Sequence, residues 1–138
     1  MSRLVRFTVV LLTCALALVI GACASHEESG LKGVALPSGF PSDQVPLIDG
    51  TVLSASGAVG KGWSVTVQAP ASDSNVLDSA VKKLTDAGYT ESQRTSQNGQ
   101  SVVVLTADKS NTTCWVSVGV TPAAASGGSS VFYTITTP

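Results

Sequence analysis

The sequence predicts an α+β domain: a mainly antiparallel sheet of five to six strands with one amphipathic helix packed on one face, in the order ββαββββ. Three observations carry this. Trp63, Val65 and Val67 alternate with Ser64, Thr66 and Gln68, the period-two pattern of a half-buried strand. Val76, Leu77, Ala80, Val81, Leu84 and Ala87 recur at helical spacing and form one apolar stripe. Asn98-Gly99 lies between two extended runs, a strong short hairpin signal, because both residues of that tight turn need positive φ.

Residues 40–50 contain Pro41 and Pro46, which fix φ and bias their predecessors toward extended backbone. An ordered, non-helical lead-in is therefore expected, with Phe40, Val45, Leu47 and Ile48 as its anchors. Residues 51–56 form a short strand, joined by the Gly-rich segment 56–62 to the strand that begins at Trp63 and ends before Pro70. The glycines do not suggest a phosphate cradle, because the segment has no Gly-Lys-Ser/Thr and no helix opens at Gly62.

The helix is expected over residues 74–87. Ser72 or Asp73 can cap its free amides, Lys82 and Lys83 lie toward the negative end of its dipole, and Gly88 suits the left-handed position that closes it. Residues 89–97 follow as a polar, solvent-facing strand. Residues 100–107 form another, whose continuous run Val102-Val103-Val104-Leu105 belongs near the sheet centre. Asp108-Lys109-Ser110-Asn111 turns the chain into a strand in which Cys114, Val116, Val118 and Val120 share one face and Trp115 points the other way. The stretch from Pro122 to Ser129 is a low-complexity loop, and residues 131–136 pair back as a last strand.

The alternation assigns the valine face to the helix. Trp115 then needs separate cover, and Phe40 or Leu47 of the lead-in is the expected source. The alternative is an exposed sheet face on which Trp115 serves as a ligand platform. Trp63 shares a face with Val65 and Val67 and is expected in the core.

The first residues carry an address. Arg3 and Arg6 precede an uncharged apolar stretch from Phe7 to Ile20, and Ile20-Gly21-Ala22-Cys23 places small residues directly before a cysteine. This junction resembles a bacterial lipobox, which implies a signal peptide over residues 1–22 and a diacylated Cys23 as the lipid attachment site. Two or more acyl chains hold a protein on a membrane where one holds it only marginally, at about 0.8 kcal/mol per buried methylene. Residues 23–39 read as a flexible tether and residues 40–138 as a single domain. Removing the first 22 of 138 residues leaves 116, enough for one domain.

Cleavage would also remove two of the eight basic residues and none of the nine acidic ones, leaving a net charge of −3. That balance argues against a nucleic-acid partner and against a polybasic membrane contact. The expected partners are the membrane, through lipid on Cys23, and an envelope protein or wall polymer. The expected location is the extracellular face of the plasma membrane.

No catalytic set, metal site or cofactor is expected. His26, the one histidine, lies in the tether, so a Ser-His or Cys-His pair in the domain lacks its base, and zinc lacks its ligands. Cys14 belongs to the signal peptide and Cys23 to the lipid, so Cys114 has no disulfide partner and its valine neighbours predict an inert, buried thiol. Asp73 and Asp78 read as a cap and a solvated helical residue in preference to an acid/base pair. Asn111-Thr112-Thr113 matches a glycosylation sequon and reads as a turn.

The lipobox, the segment from Phe40 to Gly50, the Trp63-Ser64-Val65-Thr66-Val67 strand and Leu84-Thr85-Asp86-Ala87-Gly88-Tyr89 together resemble small lipoproteins of high-GC Gram-positive bacteria. The resemblance implies a lipid anchor on a single-membrane envelope and supplies no activity or site residues. The expected function is a non-enzymatic binding or accessory domain at the cell surface. The alternatives are an accessory subunit of an envelope transport or secretion complex, and an enzyme using Cys114 or carboxylates.

Overall fold

A computed structural model of the chain describes residues 32–121 and 128–137. Cys14, Cys23 and His26, the signal peptide and most of the tether lie outside the described residues. The elements are β1 (Thr51–Ala58), β2 (Gly62–Gln68), α1 (Val76–Asp86), β3 (Thr90–Gln97), β4 (Gln100–Lys109), β5 (Thr112–Val120) and β6 (Ser130–Thr136). All five strand pairings are antiparallel, in one sheet of spatial order β1-β2-β6-β5-β4-β3. The α+β class, the six strands and the ββαββββ order thus agree with the sequence.

Each hairpin has a local cause. Asn98 and Gly99 take φ of 53° and 78°, and Ser110 and Asn111 take 51° and 63°, so both tight turns have two successive residues in the left-handed region. Asn111 of the sequon is one of these turn residues. β1 runs to Ala58, beyond the expected end at residue 56, because Gly57 lets the two backbones close up. A Cβ on Gly57, at φ 127°, would lie 2.3 Å from the carbonyl oxygen of Gly62.

The helix starts two residues later than the sequence suggests. Asn75 is its N-cap and makes no side-chain capping bond. The Asp73 carboxylate instead accepts the Asn75 N–H at 3.0 Å, one step outside the expected cap geometry. At the other end the N–H of Tyr89 returns to the carbonyl of Leu84 at 3.0 Å, with Gly88 at φ 94°. Tyr89 therefore closes the helix, and β3 begins one residue after it.

The core lies on one side of the sheet. Val76, Ala80, Val81 and Leu84 of α1 meet Val103 and Leu105 of β4, Cys114, Val116 and Val118 of β5, and Val131, Tyr133 and Ile135 of β6. The lead-in covers the rest of that side. Phe40 packs edge-on against Trp63 with ring centroids 5.8 Å apart, and Val45 and Ile48 are buried beside them. The buried Ile48 N–H donates to the Tyr133 hydroxyl at 3.1 Å, and burial pushes that phenol up to about 12.

Lys83 ties the lead-in to α1, donating to Asp49 at 2.9 Å and to the Leu47 carbonyl at 3.4 Å. The salt bridge holds the exposed Asp49 carboxyl below its ordinary value. Upstream, the Val34 N–H bonds the Val52 carbonyl at 2.8 Å, and Leu36 packs against the core. The packed unit therefore reaches back past residue 40.

Residues 102–105 lie in β4, beside the central pair β6 and β5 and one strand from the edge. The apolar run serves both faces: Val103 and Leu105 are fully buried, Val104 is half-buried and Val102 is exposed.

Candidate functional site

Because side chains alternate along a strand, covering one face of the sheet defines the composition of the other. Register places Thr66, Phe132, Gly119, Val102 and Thr95 in one row across the uncovered face. Ser64, Thr134, Ser117, Val104 and Gln93 form the next, and Thr136, Trp115, Thr106 and Thr90 a third. Neither α1 nor the lead-in lies over these rows. Trp115 is 48% exposed, Phe132 39% and Val102 37%.

The expected cover of Trp115 by Phe40 or Leu47 is thereby corrected. Phe40 is drawn to the other face by Trp63, and the hydrogen bond from Ile48 to Tyr133 fixes the lead-in there. The strand's two faces are as the alternation predicts: Cys114, Val116 and Val118 are buried, Val120 is half-buried, and Trp115 points away.

Two depressions flank the exposed aromatics. One, of about 210 Å³, lies over Gly119 between Val102 and Phe132, with Gln100, Ser117 and Thr134 on its margin. It exists because residue 119 has no side chain; a Cβ there would stand 3.4 Å from Val102 Cγ2 and begin to fill it. The other, of about 370 Å³, lies beside Trp115 and is lined by Thr90, Ser92, Thr106, Asp108 and Thr113. The Thr113 hydroxyl donates to Asp108 at 2.8 Å.

Charge is segregated between the faces. The ion pairs Lys82–Asp86, Lys83–Asp49, Arg94–Asp78 and Arg94–Glu91 belong to α1, the lead-in and the β3 positions that face the helix. Arg94 grips Glu91 with two bonds of 2.9 and 3.1 Å, which holds that carboxyl below its ordinary value and raises the guanidinium. Among the described strand residues of the three open-face rows there is no charged side chain. Asp108, near the end of β4, lies beyond those rows and borders the depression beside Trp115.

The other sequence candidates are not assembled into chemistry. Cys114 is 1% exposed, and its sulfur accepts the Tyr89 hydroxyl at 3.4 Å. Burial and that contact raise the Tyr89 phenol, and the Lys109 ammonium lies 5.4 Å from the Tyr89 ring centroid while donating to the Ala87 carbonyl. These groups close the end of the helix over the thiol. Asp73 bonds its own chain, and Asp78 pairs with Arg94, so the two have separate partners. Among the described residues no three His, Cys, Asp or Glu side chains cluster as metal ligands, and no helix is long and apolar enough to cross a membrane.

The alternation of residues 113–120 makes the outward direction of Trp115 legible in the sequence. The outward placement of Phe132 is equally legible, since it alternates with Val131 and Tyr133, although nothing in its local sequence marks it as functional. Gly119 carries no sequence signal of its own, because a glycine in a strand announces a gap only once its neighbours are known. In comparisons with known proteins, no family model matches the chain, and no curated protein or solved structure matches it.

Proposed function

We propose that the protein is a lipid-anchored, non-enzymatic binding protein of the cell surface, held by Cys23 and recognising its partner on the open face of the sheet. The observation that carries this is the exposure of Trp115, Phe132 and Val102 together on a face that no other element among the described residues covers. Single exposed apolar residues are ordinary on protein surfaces; a tryptophan and a phenylalanine beside two depressions are a recognition feature. Burial of Cys114 supports a binding role over a thiol enzyme, because a nucleophile must be reached by its substrate.

The anchor and the face are geometrically compatible. Val34 is bonded to the edge strand β1, so the eleven peptide links from Cys23 to Val34 set the greatest separation between lipid and domain, about 40 Å at full extension. The domain would stay within reach of the membrane while leaving a sheet face free.

Two measurements test the proposal. Mass spectrometry of the membrane-bound protein is expected to show an acylated N-terminal Cys23; a product retaining Met1, or a Cys23→Ser variant processed and retained like the parent, would remove the anchor. Photo-crosslinking groups placed at residues 115 and 132 in intact cells are expected to form adducts, while the same group at Lys82 on the helix does not. Equal labelling from both sides would remove the open face as the recognition surface.

A further inference from the structure

We propose that the ligand of the open face is a neutral polyhydroxylated chain, a glycan of the envelope, with Trp115 and Phe132 as two stacking platforms. The inference rests on the open face being the binding surface and assigns the chemical class of what binds there.

Three features of the face select this class. First, the rows between the platforms carry hydroxyls and amides and no charge. An anionic polymer, a nucleic acid or an acidic lipid would require cations, and the domain's ion pairs lie toward the helix. Second, the two aromatics are separated. Trp115 and Gly119 are four residues apart on β5, about 13 Å, and Phe132 stands opposite Gly119 on the next strand.

A protein hot spot is a contiguous, desolvated apolar cluster, whereas here Ser117 and Thr134 lie between the rings. Extended glycans present alternating apolar ring faces and hydroxyl edges, which match separated aromatic platforms with hydroxyls between them. Third, the polar groups are held ready. Ser117, Thr134 and Thr106 have no hydrogen-bond partner within the chain among the described residues. Each hydroxyl offers one donor and two acceptor lone pairs, and the β-branched threonines on a rigid sheet lose little rotamer freedom on binding.

The depressions fit the same occupant. Gly119 leaves a trough beside Phe132 into which a sugar ring can settle against an aromatic face. The space beside Trp115 is bordered by Thr90, Thr106 and Asp108, whose carboxylate can accept hydrogen bonds from sugar hydroxyls without demanding a cationic ligand.

The test is titration of the full-length protein in detergent with hexamers of β-1,4-linked N-acetylglucosamine, of β-1,4-linked glucose and of α-1,6-linked mannose, followed by tryptophan emission and isothermal calorimetry. Saturable binding to at least one hexamer is expected, with affinity nearly unchanged between roughly 50 and 500 mM salt. Trp115→Ala should weaken it by about tenfold or more. Gly119→Thr, which keeps a strand-forming residue and fills the trough, should also weaken it while leaving the urea midpoint in place.

No binding to any hexamer overturns the glycan assignment, as does binding that both variants leave unchanged or that salt abolishes. The in-cell crosslinks separate this failure from failure of the open-face proposal. Adducts at residues 115 and 132 that consist of a protein, or of a second copy of this chain, leave the face standing and remove the glycan. Absence of adducts there, with adducts at Lys82, removes both.

Discussion

The two faces of this sheet are built from the same strands and differ in almost every physical respect. On the covered face twelve strand residues, from Trp63 of β2 to Ile135 of β6, are buried against α1 and the lead-in. On the open face serine, threonine and glutamine alternate with those residues, and the large apolar side chains among them remain exposed. A strand cannot place a residue on one face without assigning its neighbours to the other. Stability therefore resides on the first face, and the second is free to vary its chemistry at little cost to the fold. Substitutions on the two faces should separate these roles.

The largest difference should appear between the two tryptophans. Trp63 is 4% exposed and supports Phe40, so Trp63→Ala is expected to lower stability by about 3–5 kcal/mol. Leu84→Ala, fully buried on the helix stripe, is expected to cost about 2–5 kcal/mol. Urea unfolding followed by circular dichroism measures both. A Leu84→Ala midpoint no lower than that of Lys82→Ala would show that α1 does not dock as described.

Tyr133→Phe is a smaller and more specific perturbation. It removes the acceptor of the buried Ile48 N–H while keeping the ring, and an unsatisfied buried donor costs about 1–3 kcal/mol. The same tyrosine gives the domain an alkaline limit. Its folded pKa, near 12, exceeds the ordinary value of 10, so the protonated phenol is favoured by folding. That contribution is complete below pH 10 and is lost as the pH rises from 10 toward 12. Tyr89, also raised, adds to the decline. Stability should therefore fall above pH 10, and less steeply in Tyr133→Phe; parallel curves for the two proteins would remove Tyr133 as a contributor.

How far the sequence discloses this architecture depends on the range of the interaction. Hairpin turns, the helix stripe and its Gly88 terminus follow from residues within a few positions of one another, and they agree with the structure. The opposite orientations of Cys114 and Trp115 follow from period two and agree as well. Strand order does not follow in this way: β2 pairs with β6, more than sixty residues away, because the last hairpin closes between the two earlier ones.

The fate of the lead-in is equally long-range. Its apolar anchors are visible in the sequence, but the face they choose depends on Trp63 and Tyr133. For that reason the cover expected over Trp115 lies on the other side of the sheet. The Val102–Leu105 run misleads through the same gap, since continuous apolarity marks burial on both faces, and here its outward half meets no second layer among the described residues.

Thiol chemistry sharpens the comparison next. Cys114 is buried, and maleimide labelling of the folded protein is expected to be slow and to accelerate on addition of denaturant. Rapid labelling in the native state would mean that β5 is shifted by one residue, which would exchange its faces and bring Trp115 inward.

The smallest expected effect is the most informative about the open face. Trp115→Ala removes a large apolar side chain, yet 48% of its surface is already in solvent and no element among the described residues packs over it. Its loss should therefore change stability by about 0.5 kcal/mol or less, as for other exposed positions, in contrast to the several kcal/mol expected at Trp63. A tryptophan that contributes little to folding, on a strand whose other face is filled, answers no structural need and is available for contact with something else. If Trp115→Ala instead lowered the urea midpoint as far as Trp63→Ala, the ring would be packed against part of the chain, and the open face would be a second core surface with no room for a ligand.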